Sequence, residues 1–163
     1  MSFKTADLCD EFWEEVQVAT PLLLDFGGVT AFSGPIVTVD VFEDNSMVRE
    51  FLESAGEGRV LVVDGGGSLQ RALLGDRLAA LAADNGWSGV IIHGCVRDVA
   101  ELAHVRIGIK ALAAVPLASH KRGRGSRGGP LHFAGITFRP NHYLYADRDG
   151  IITAPRDLMA DNG

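Results

Sequence analysis

The sequence has 163 residues, which is close to the usual size of one domain and long enough to bury a single hydrophobic core. Apolar residues make up 47% and charged residues 22%, a globular composition that argues against a disordered chain. The net charge of −6 is opposite in sign to that of proteins that grip phosphate backbones, so nucleic acid is not an expected partner.

Three features of the sequence predict a cytoplasmic protein without a membrane partner. The longest apolar run, residues 111–118, is interrupted by Pro116 and is far too short to span a bilayer. Residues 1–10 carry acidic side chains instead of a basic region followed by an apolar stretch, so no signal peptide is expected. Cys9 and Cys95 have no metal-ligand or CxxC spacing, which is typical of free thiols in a reducing compartment.

The first half of the chain predicts two helices and two strands. An acidic first turn and apolar residues at helical spacing predict a helix over residues 6–13, with Thr5 as its N-cap. After the turn signals Gly27-Gly28 and Gly34-Pro35, alternating β-branched residues predict a strand over 36–42. A short helix over 45–53 and a buried strand over 60–64 follow, the latter because its residues are continuously apolar.

The second half alternates helices and strands and ends in strands. The predicted helices span 76–83, which Asn85-Gly86 terminates, and 99–103. The predicted strands span 90–93, 108–115, 131–138, 143–146 and 151–154, with a basic, glycine-rich loop over 120–129. This mixture predicts a single α/β domain over 1–163 with a mixed sheet.

A run of glycines, Gly65–Gly67, follows the strand at 60–64. It does not continue into a dinucleotide fingerprint, because the sixth position from Gly65 is Gln70 instead of glycine. No Gly-Lys-Ser/Thr follows either, so it is not a phosphate-binding P-loop. We interpret the run as a tight strand exit whose backbone lines a pocket.

Asp76 and the pair Arg97-Asp98 are predicted to meet at one end of the fold. The helix that starts at Asp76 rises roughly 15 Å. The strand over 89–94 returns roughly 20 Å in the opposite direction. Two carboxylates, a guanidinium group and a helix N-terminus therefore converge.

Each of these groups has a chemical use. Free backbone N–H groups of Gly75, Asp76, Arg77 and Leu78 can hold a substrate carboxylate. Arg97 offers a planar fork to a carboxylate or a developing enolate. Asp98 can bind a hard cation, and Asp76 can orient a water molecule as acid or base. The alternative is structural, with Asp76 satisfying the helix dipole and Arg97-Asp98 forming a surface ion pair.

Three other groups of residues are weaker candidates. The five histidines never take a zinc-ligand spacing, so no zinc site is expected. His93 lies within an apolar strand and is predicted to be a hydrogen-bonded core residue. The basic run over 120–127 has no interleaved aromatic residues for base stacking, so we expect a solvated loop in preference to an RNA contact.

Motifs over nearly the whole chain resemble the RraA-like family, which comprises the regulators of ribonuclease E activity A and their relatives. The longest are VLVVDGGGSLQRALLGD (60–76) and NGWSGVIIHGCVRD (85–98). Shorter ones are DLCD (7–10), FGG (26–28), VFEDN (41–45), GITF (135–138) and YADRDGII (145–152).

The family includes the class II 4-hydroxy-4-methyl-2-oxoglutarate aldolases, which also decarboxylate oxaloacetate. Their signature of an Asp, twenty intervening residues and Arg-Asp is present here as Asp76 and Arg97-Asp98. The resemblance implies binding of a small 2-oxo acid at Gly75–Leu78 and Arg97, with Mg²⁺ or Mn²⁺ near Asp98. It also implies a swivelling β/β/α-type fold and a homotrimer with sites near the subunit interfaces.

Two points leave alternatives open. Longer aldolases of the family have a C-terminal extension that brings an acidic residue into the neighbouring subunit's site, and the sequence assigns neither Asp157 nor Asp161 to that role. The rival function is a non-catalytic regulator that binds and inhibits ribonuclease E. The regulators proper have lost the two acidic residues around the arginine, so retention of Asp76 and Asp98 favours the enzyme.

Overall fold

The structure is a computed structural model that describes residues 2–160. It confirms the predicted α/β class with a mixed sheet. None of the helices in this range has the length and apolar character needed to cross a bilayer. The helices are α1 (Thr5–Phe12), α2 (Ser46–Leu52), α3 (Asp76–Asp84) and α4 (Val99–Leu102). The strands are β1 (Gln17–Val18), β2 (Leu24–Asp25), β3 (Phe32–Asp40), β4 (Val60–Asp64), β5 (Ala72–Leu74), β6 (Gly89–Val96), β7 (Gly108–Ala114), β8 (Ser126–Arg127), β9 (Leu131–Phe133), β10 (Ile136–Phe138), β11 (Tyr143–Asp147) and β12 (Gly150–Ala154).

Ten of these strands form one mixed sheet, in the order β1-β12-β11-β3-β4-β6-β7-β2. The central strands β3, β4, β6 and β7 pair in parallel, whereas β1, β2, β11 and β12 make antiparallel pairs at the two sides. β5 pairs in parallel with β6 and β8 antiparallel with β3, both off the main path, and β9 and β10 form a separate hairpin. The short strands β1, β2, β5 and β8 were not predicted, because segments of two or three residues have no recognisable periodicity.

β3 joins the antiparallel and parallel parts of the sheet. Residues 32–35 pair with β11, and residues 36–40 pair with β4. The predicted strand over 36–42 therefore starts too late. Gly34-Pro35 indicated a turn in the sequence, whereas in the structure it lies inside β3, at the point where the strand changes partners.

The parallel strands are buried on both faces. All four residues from Val60 to Val63 are inaccessible to solvent, as their continuous apolar run predicts. One face packs on α2 and α3, where Leu52 and Ala79 belong to the same core cluster as Leu61. The opposite face packs against the β9–β10 hairpin and β11. Packing on both faces of the central strands thus fixes the positions of the ends of β4 and β6, where the polar residues lie.

Two predicted details are wrong. Thr5 is not the N-cap of α1 but its first residue, and its Oγ1 donates a 2.6 Å hydrogen bond to Asp147 at the end of β11. The predicted strand over 131–138 is the β9–β10 hairpin instead. Ala134 and Gly135 adopt positive φ angles of 51° and 74°, which reverse the chain between the two strands.

Candidate active site

A cavity of about 540 Å³ lies where the turn from β5 to α3 meets the turn from β6 to α4. These turns follow parallel strands, so the cavity lies beyond the carboxyl edge of the sheet, where open α/β sheets bind ligands. Its lining residues come from four segments: Asn45 and Arg49; Ala72 and Leu74–Leu78; Arg97 and Asp98; and Ala118, Ser119 and Lys121.

The structure brings together all the residues that the sequence predicted for the site. Gly75, Asp76, Arg77, Leu78, Arg97 and Asp98 line one cavity. The backbone N–H of Arg97 donates a 2.9 Å hydrogen bond to Leu74 O, which holds the two turns side by side. Asp98 Oδ2 then accepts a 3.1 Å hydrogen bond from the backbone N–H of Asp76. The predicted convergence is present, and the catalytic roles of these residues stay predictions.

Gly75 permits the close approach of the two turns. A Cβ atom at this position would lie 2.6 Å from Asp98 Oδ2, a distance shorter than non-bonded atoms tolerate. The backbone of Gly75 is extended, with φ at −127°, so glycine serves here to leave space for the Asp98 carboxylate and not to adopt an unusual backbone conformation. The absence of a side chain therefore allows Asp98 to reach the start of α3.

One sequence expectation about α3 requires correction. The backbone N–H groups of Asp76 and Arg77 are not free, because Asp98 Oδ2 and Asp76 Oδ1 accept from them at 3.1 and 2.9 Å. The chain's own carboxylates occupy the positions that an anion takes at a helix N-terminus. They stand in for a ligand carboxylate and show that this turn binds anionic oxygen atoms.

Asp98 is held in its ionised form. The hydrogen bond from the Asp76 N–H lowers the pKa of the Asp98 carboxyl below its ordinary value, and the positive charges of Arg97 and Arg77 lower it further, against partial desolvation. The residue has a left-handed backbone conformation, with φ at 60° and ψ at 44°, at the start of α4. Such a conformation is uncommon outside glycine and recurs at functional sites.

The cavity has an excess of positive charge. Four cationic side chains, Arg49, Arg77, Arg97 and Lys121, line it together with the two carboxylates. Arg97 Nη1 lies 3.4 Å from Pro116 O, which is long for a hydrogen bond. A wall of this composition attracts small anions.

Comparison with known proteins places nearly the whole chain in one family. The sequence profile of RraA-like proteins, described as Aldolase/RraA, matches residues 5–153. The chain belongs to the RraA-like family. Within the family, a relative from Alkalilimnicola ehrlichii named "Putative 4-hydroxy-4-methyl-2-oxoglutarate aldolase" is 57% identical over 98% of this chain and 99% of its own length.

Two solved structures confirm the RraA-like fold. A Geobacillus kaustophilus protein described as an S-adenosylmethionine:2-dimethylmenaquinone methyltransferase is 53% identical, with a TM-score of 0.96 over 99% of this chain and 100% of that chain. The RNA-processing inhibitor RraA from Thermus thermophilis is 44% identical, with a TM-score of 0.95 over 100% and 99% of the two chains. The names of similar proteins thus cover an aldolase, a methyltransferase and an inhibitor.

Four polar cavity residues of this RraA-like protein were missed in the sequence. Asn45, Arg49, Ser119 and Lys121 come from segments that are distant in sequence from Asp76 and Asp98. Asn45 Nδ2 donates a 3.3 Å hydrogen bond to Leu73 O, and Lys121 Nζ lies 3.5 Å from Asn45 Oδ1. No local spacing relates these residues, so only the fold reveals that they share a wall.

The basic loop over 120–129 is exposed, as predicted, but its first part is anchored to the body of the protein. The buried carboxylate of Asp44 accepts a 2.7 Å hydrogen bond from the Arg122 backbone N–H. Although burial opposes ionisation, hydrogen bonds from the Ser46, Arg122 and Arg124 backbone hold the pKa of Asp44 below its ordinary value. This anchoring places Lys121 at the cavity.

His93 is hydrogen-bonded and the glycine run is a tight strand exit, as the sequence indicated, whereas the expected lining of a pocket by the backbone of this run is not found at the cavity. His93 Nδ1 lies 3.1 Å from Asp64 Oδ1, and its ring stacks on Phe133 with a centroid separation of 4.7 Å. The side chain is 23% accessible, so it lies at the edge of the core. Gly66 and Gly67 adopt positive φ angles of 68° and 72° and form a tight exit from β4. This turn lies outside the lining of the cavity.

The donor atoms at the cavity fit a weakly held, hydrated hard cation better than a multi-ligand metal centre. Among residues 2–160, no three His, Cys, Asp or Glu side chains are grouped closely enough to hold a metal ion together. Asp98 offers carboxylate oxygen at an exposed position, and Asp76 adds a second carboxylate beside it. Mg²⁺ commonly binds through one or two carboxylates while keeping several waters.

Asp157, one of the two acidic residues considered near the C-terminus, does not complete this site within one protomer. Asp157 Oδ1 accepts a 2.6 Å hydrogen bond from the Tyr145 hydroxyl group and another from the backbone N–H of Met159. Burial and this contact raise the pKa of Tyr145. Asp157 therefore secures the chain end against β11, and Asp161 lies outside the described residues.

Proposed function

We propose that this RraA-like protein is a lyase that cleaves a carbon–carbon bond beside a 2-oxo acid. Its substrates would be 4-hydroxy-4-methyl-2-oxoglutarate, which yields pyruvate, and oxaloacetate, which loses carbon dioxide. The observation that carries the proposal is the meeting of Asp76, Arg97 and Asp98 at a helix N-terminus in a cationic cavity. The aldolase name of the relative that is 57% identical supports the same class of enzyme.

Substrate binding would begin with the carboxylate beside the keto group. The N-terminal turn of α3 (Gly75, Asp76, Arg77 and Leu78) and the guanidinium group of Arg97 would receive it, with a substrate oxygen replacing Asp98 Oδ2 at the Asp76 N–H. The Asp98 carboxylate already occupies part of this turn, which supports the affinity of the turn for anionic oxygen. The cations Arg49 and Lys121 add to the attraction for an anionic substrate.

Asp98 would hold a divalent cation, Mg²⁺ or Mn²⁺, with Asp76 acting through water molecules. When bound, such an ion supplies Lewis-acid stabilisation of the negative charge that develops on the keto oxygen. The exposure and ionisation of Asp98 support this assignment, because a hard cation prefers a charged oxygen ligand that retains access to water.

Arg97 and Asp76 would carry the chemistry of bond cleavage. In the aldol substrate, Asp76 acting through water accepts the proton of the 4-hydroxyl group while the C3–C4 bond breaks, and the C4–O bond becomes the keto group of one departing pyruvate. The electron pair of that bond forms the enolate of pyruvate, whose charge the Arg97 guanidinium group stabilises as it develops. The proton then returns through water to C3. In oxaloacetate, loss of carbon dioxide generates the same enolate.

We also propose that the protein is a homotrimer with sites near its subunit boundaries. Three exposed apolar side chains support an interface beside the cavity: Phe42, Leu69 and Leu117 are 64%, 56% and 52% accessible. Leu117 directly precedes the cavity residue Ala118, and Phe42 lies against the glycine exit at Gly66.

A second candidate function is inhibition of a ribonuclease E type enzyme through direct binding. It is supported by the RNA-processing inhibitor from Thermus thermophilis, which is 44% identical to this chain. We place it second because binding to a protein requires no pair of carboxylates at a helix N-terminus. Methyl transfer is not proposed, because the glycines at 65–67 form a strand exit outside the cavity.

The test is a pyruvate-release assay on both substrates with added Mg²⁺ or Mn²⁺. Free cations decarboxylate oxaloacetate slowly, so the protein-free rate and the rate with the variant Arg97→Ala serve as controls. We expect saturable, protein-dependent release that Arg97→Ala loses. Release no faster than in the controls, together with inhibition of a ribonuclease E by the wild-type protein, would favour the second candidate.

A further inference from the structure

β5 is a strand of three residues that leads directly into the proposed substrate-binding turn at Gly75. On one side it pairs with β6, and this pairing contains a register irregularity between Ala72 and Leu74. On the other side, no regular strand lies beside it among the described residues, only a single bridge between Ala72 and Ala118. Such a short and irregular strand needs further contacts to keep a fixed position.

Each carbonyl group of β5 accepts a hydrogen bond from a different segment. Leu74 O accepts from the Arg97 backbone N–H at 2.9 Å, and Leu73 O accepts from Asn45 Nδ2 at 3.3 Å. Ala72 O accepts from Ser119 Oγ at 2.6 Å. Two of these three donors are therefore side chains from the opposite wall of the cavity.

The Ser119 contact has the properties of a fixed structural bond. Ser119 is 8% accessible and Ala72 is 4% accessible, so water cannot readily replace either partner. The same segment adds two bonds, from the Ala72 backbone N–H to Leu117 O at 2.8 Å and from Arg71 Nη1 to Ala118 O at 2.9 Å. Residues 117–119 thus act as a substitute edge strand for β5.

We propose that Ser119 is a positioning residue for the N-terminal turn of α3. Through Ala72 O it fixes β5, and β5 fixes the placement of Gly75 to Leu78 relative to Arg97 and Asp98. Loss of the Ser119 hydroxyl group removes one of the three bonds that hold the outer edge of β5, while leaving every group of the turn in the chain. The expected effect on kcat/KM rests on the proposed lyase function, whereas the expected effect on the mobility of the turn does not.

The chain offers a matched control. Ser88 Oγ donates a 2.7 Å hydrogen bond to Ser33 O, the same kind of bond in a partly buried position away from the cavity. Ser88→Ala therefore removes an equivalent bond without touching β5. Ser119→Thr keeps the hydroxyl group, and Ser119→Cys replaces it with a somewhat larger thiol that is a weaker donor.

The experiment measures hydrogen–deuterium exchange over residues 75–78 in the full-length wild-type protein and in each folded variant, together with kcat/KM for pyruvate release. We expect faster exchange in this turn for Ser119→Ala, intermediate exchange for Ser119→Cys and wild-type exchange for Ser88→Ala. kcat/KM should fall roughly tenfold to a hundredfold in Ser119→Ala, because small displacements at a site have effects of that order.

Unchanged exchange over 75–78 in Ser119→Ala, or an equal effect from Ser88→Ala, would overturn the proposal. If Ser119→Ala does not fold, hydrogen–deuterium exchange is measured on Ser119→Cys and Asn45→Ala instead. Asn45→Ala removes the neighbouring bond to Leu73 O. A wild-type protein that releases no pyruvate would refute the lyase function, while the exchange data would still decide the role of Ser119.

Discussion

Asp76 and Asp98 are joined by a 3.1 Å hydrogen bond from the backbone N–H of one to the carboxylate of the other, across 22 residues of sequence. The bond connects the first residue of α3 with the residue that caps α4. It places two carboxylates and the guanidinium group of Arg97 around one helix N-terminus. The proposed chemistry depends on this relationship more than on any single side chain.

Arg97→Lys should lower kcat for pyruvate release about 10²–10³-fold, the typical cost of losing one preorganised donor to a developing oxyanion. Lysine retains the charge but not the planar fork of donors. The measurement is kcat for both substrates under saturating cation, with circular dichroism to verify folding. Arg148→Lys, at an exposed position outside the cavity, serves as the matched control. Near-normal turnover by Arg97→Lys would contradict the role of Arg97.

Asp98→Asn should lower the thermal stability of the protein at neutral pH but not in acid. The folded-state pKa of Asp98 is depressed below its ordinary value of 3.8, so its stabilising charge is present above that value and is lost as the pH falls through the lower, folded-state pKa. A charge at a helix N-terminus contributes about 0.3–1 kcal/mol. Melting temperatures of wild type and variant should differ near neutral pH and converge as the pH falls through the depressed, folded-state pKa of Asp98. A difference that persists in acid would show that the charge is not its cause.

Gly75→Ala should impair catalysis, because the added Cβ would lie 2.6 Å from Asp98 Oδ2. The contact forces Asp98 and the α3 turn apart, and we expect kcat/KM to fall at least roughly tenfold. Gly129→Ala is the control, since a Cβ there meets open space. Equal kinetics for the two variants would mean that the close approach at Gly75 has no catalytic importance.

The oligomer prediction can be tested by sedimentation. The wild-type protein should sediment as a trimer at micromolar concentration, and Leu69→Glu should shift it toward monomer by placing a charge in the proposed apolar interface. Val18→Glu changes a residue of similar exposure on the edge strand β1 and should leave the trimer intact. A wild-type protein that is only monomeric would exclude a site shared between subunits.

The sequence predicts the parts of the fold that have long, periodic or continuously apolar segments. β4, β6 and α3 were predicted within a few residues, and their lengths were sufficient to infer that Asp76 and Asp98 meet. Gly34-Pro35 indicates a turn, and the predicted strand therefore begins at residue 36. In the structure, Pro35 lies inside β3, at the point where the strand changes partners from β11 to β4. Ala134 was missed as a turn residue because alanine has no preference for the left-handed conformation that it adopts.

The second wall of the cavity could not be predicted. Lys121 belongs to a run that indicates a solvated loop, and only the buried anchor at Asp44 brings it to the site. Ser119 and Asn45 act on the carbonyl groups of β5, a strand too short to be recognised. The occupied N–H group of Asp76 was equally hidden, since its partner Asp98 comes from another turn and leaves no mark on the local sequence.

The measurement that tests the central claim most directly is a cation titration of pyruvate release from 4-hydroxy-4-methyl-2-oxoglutarate. After exhaustive chelation the wild-type protein should be inactive, and added Mg²⁺ or Mn²⁺ should restore turnover, because a hydrated ion held by one or two carboxylates exchanges readily. Asp98→Asn should need a much higher cation concentration for half-maximal rate. Full activity of the chelated wild-type protein, or an unchanged titration midpoint in Asp98→Asn, would contradict a metal-dependent lyase with Asp98 as the ligand.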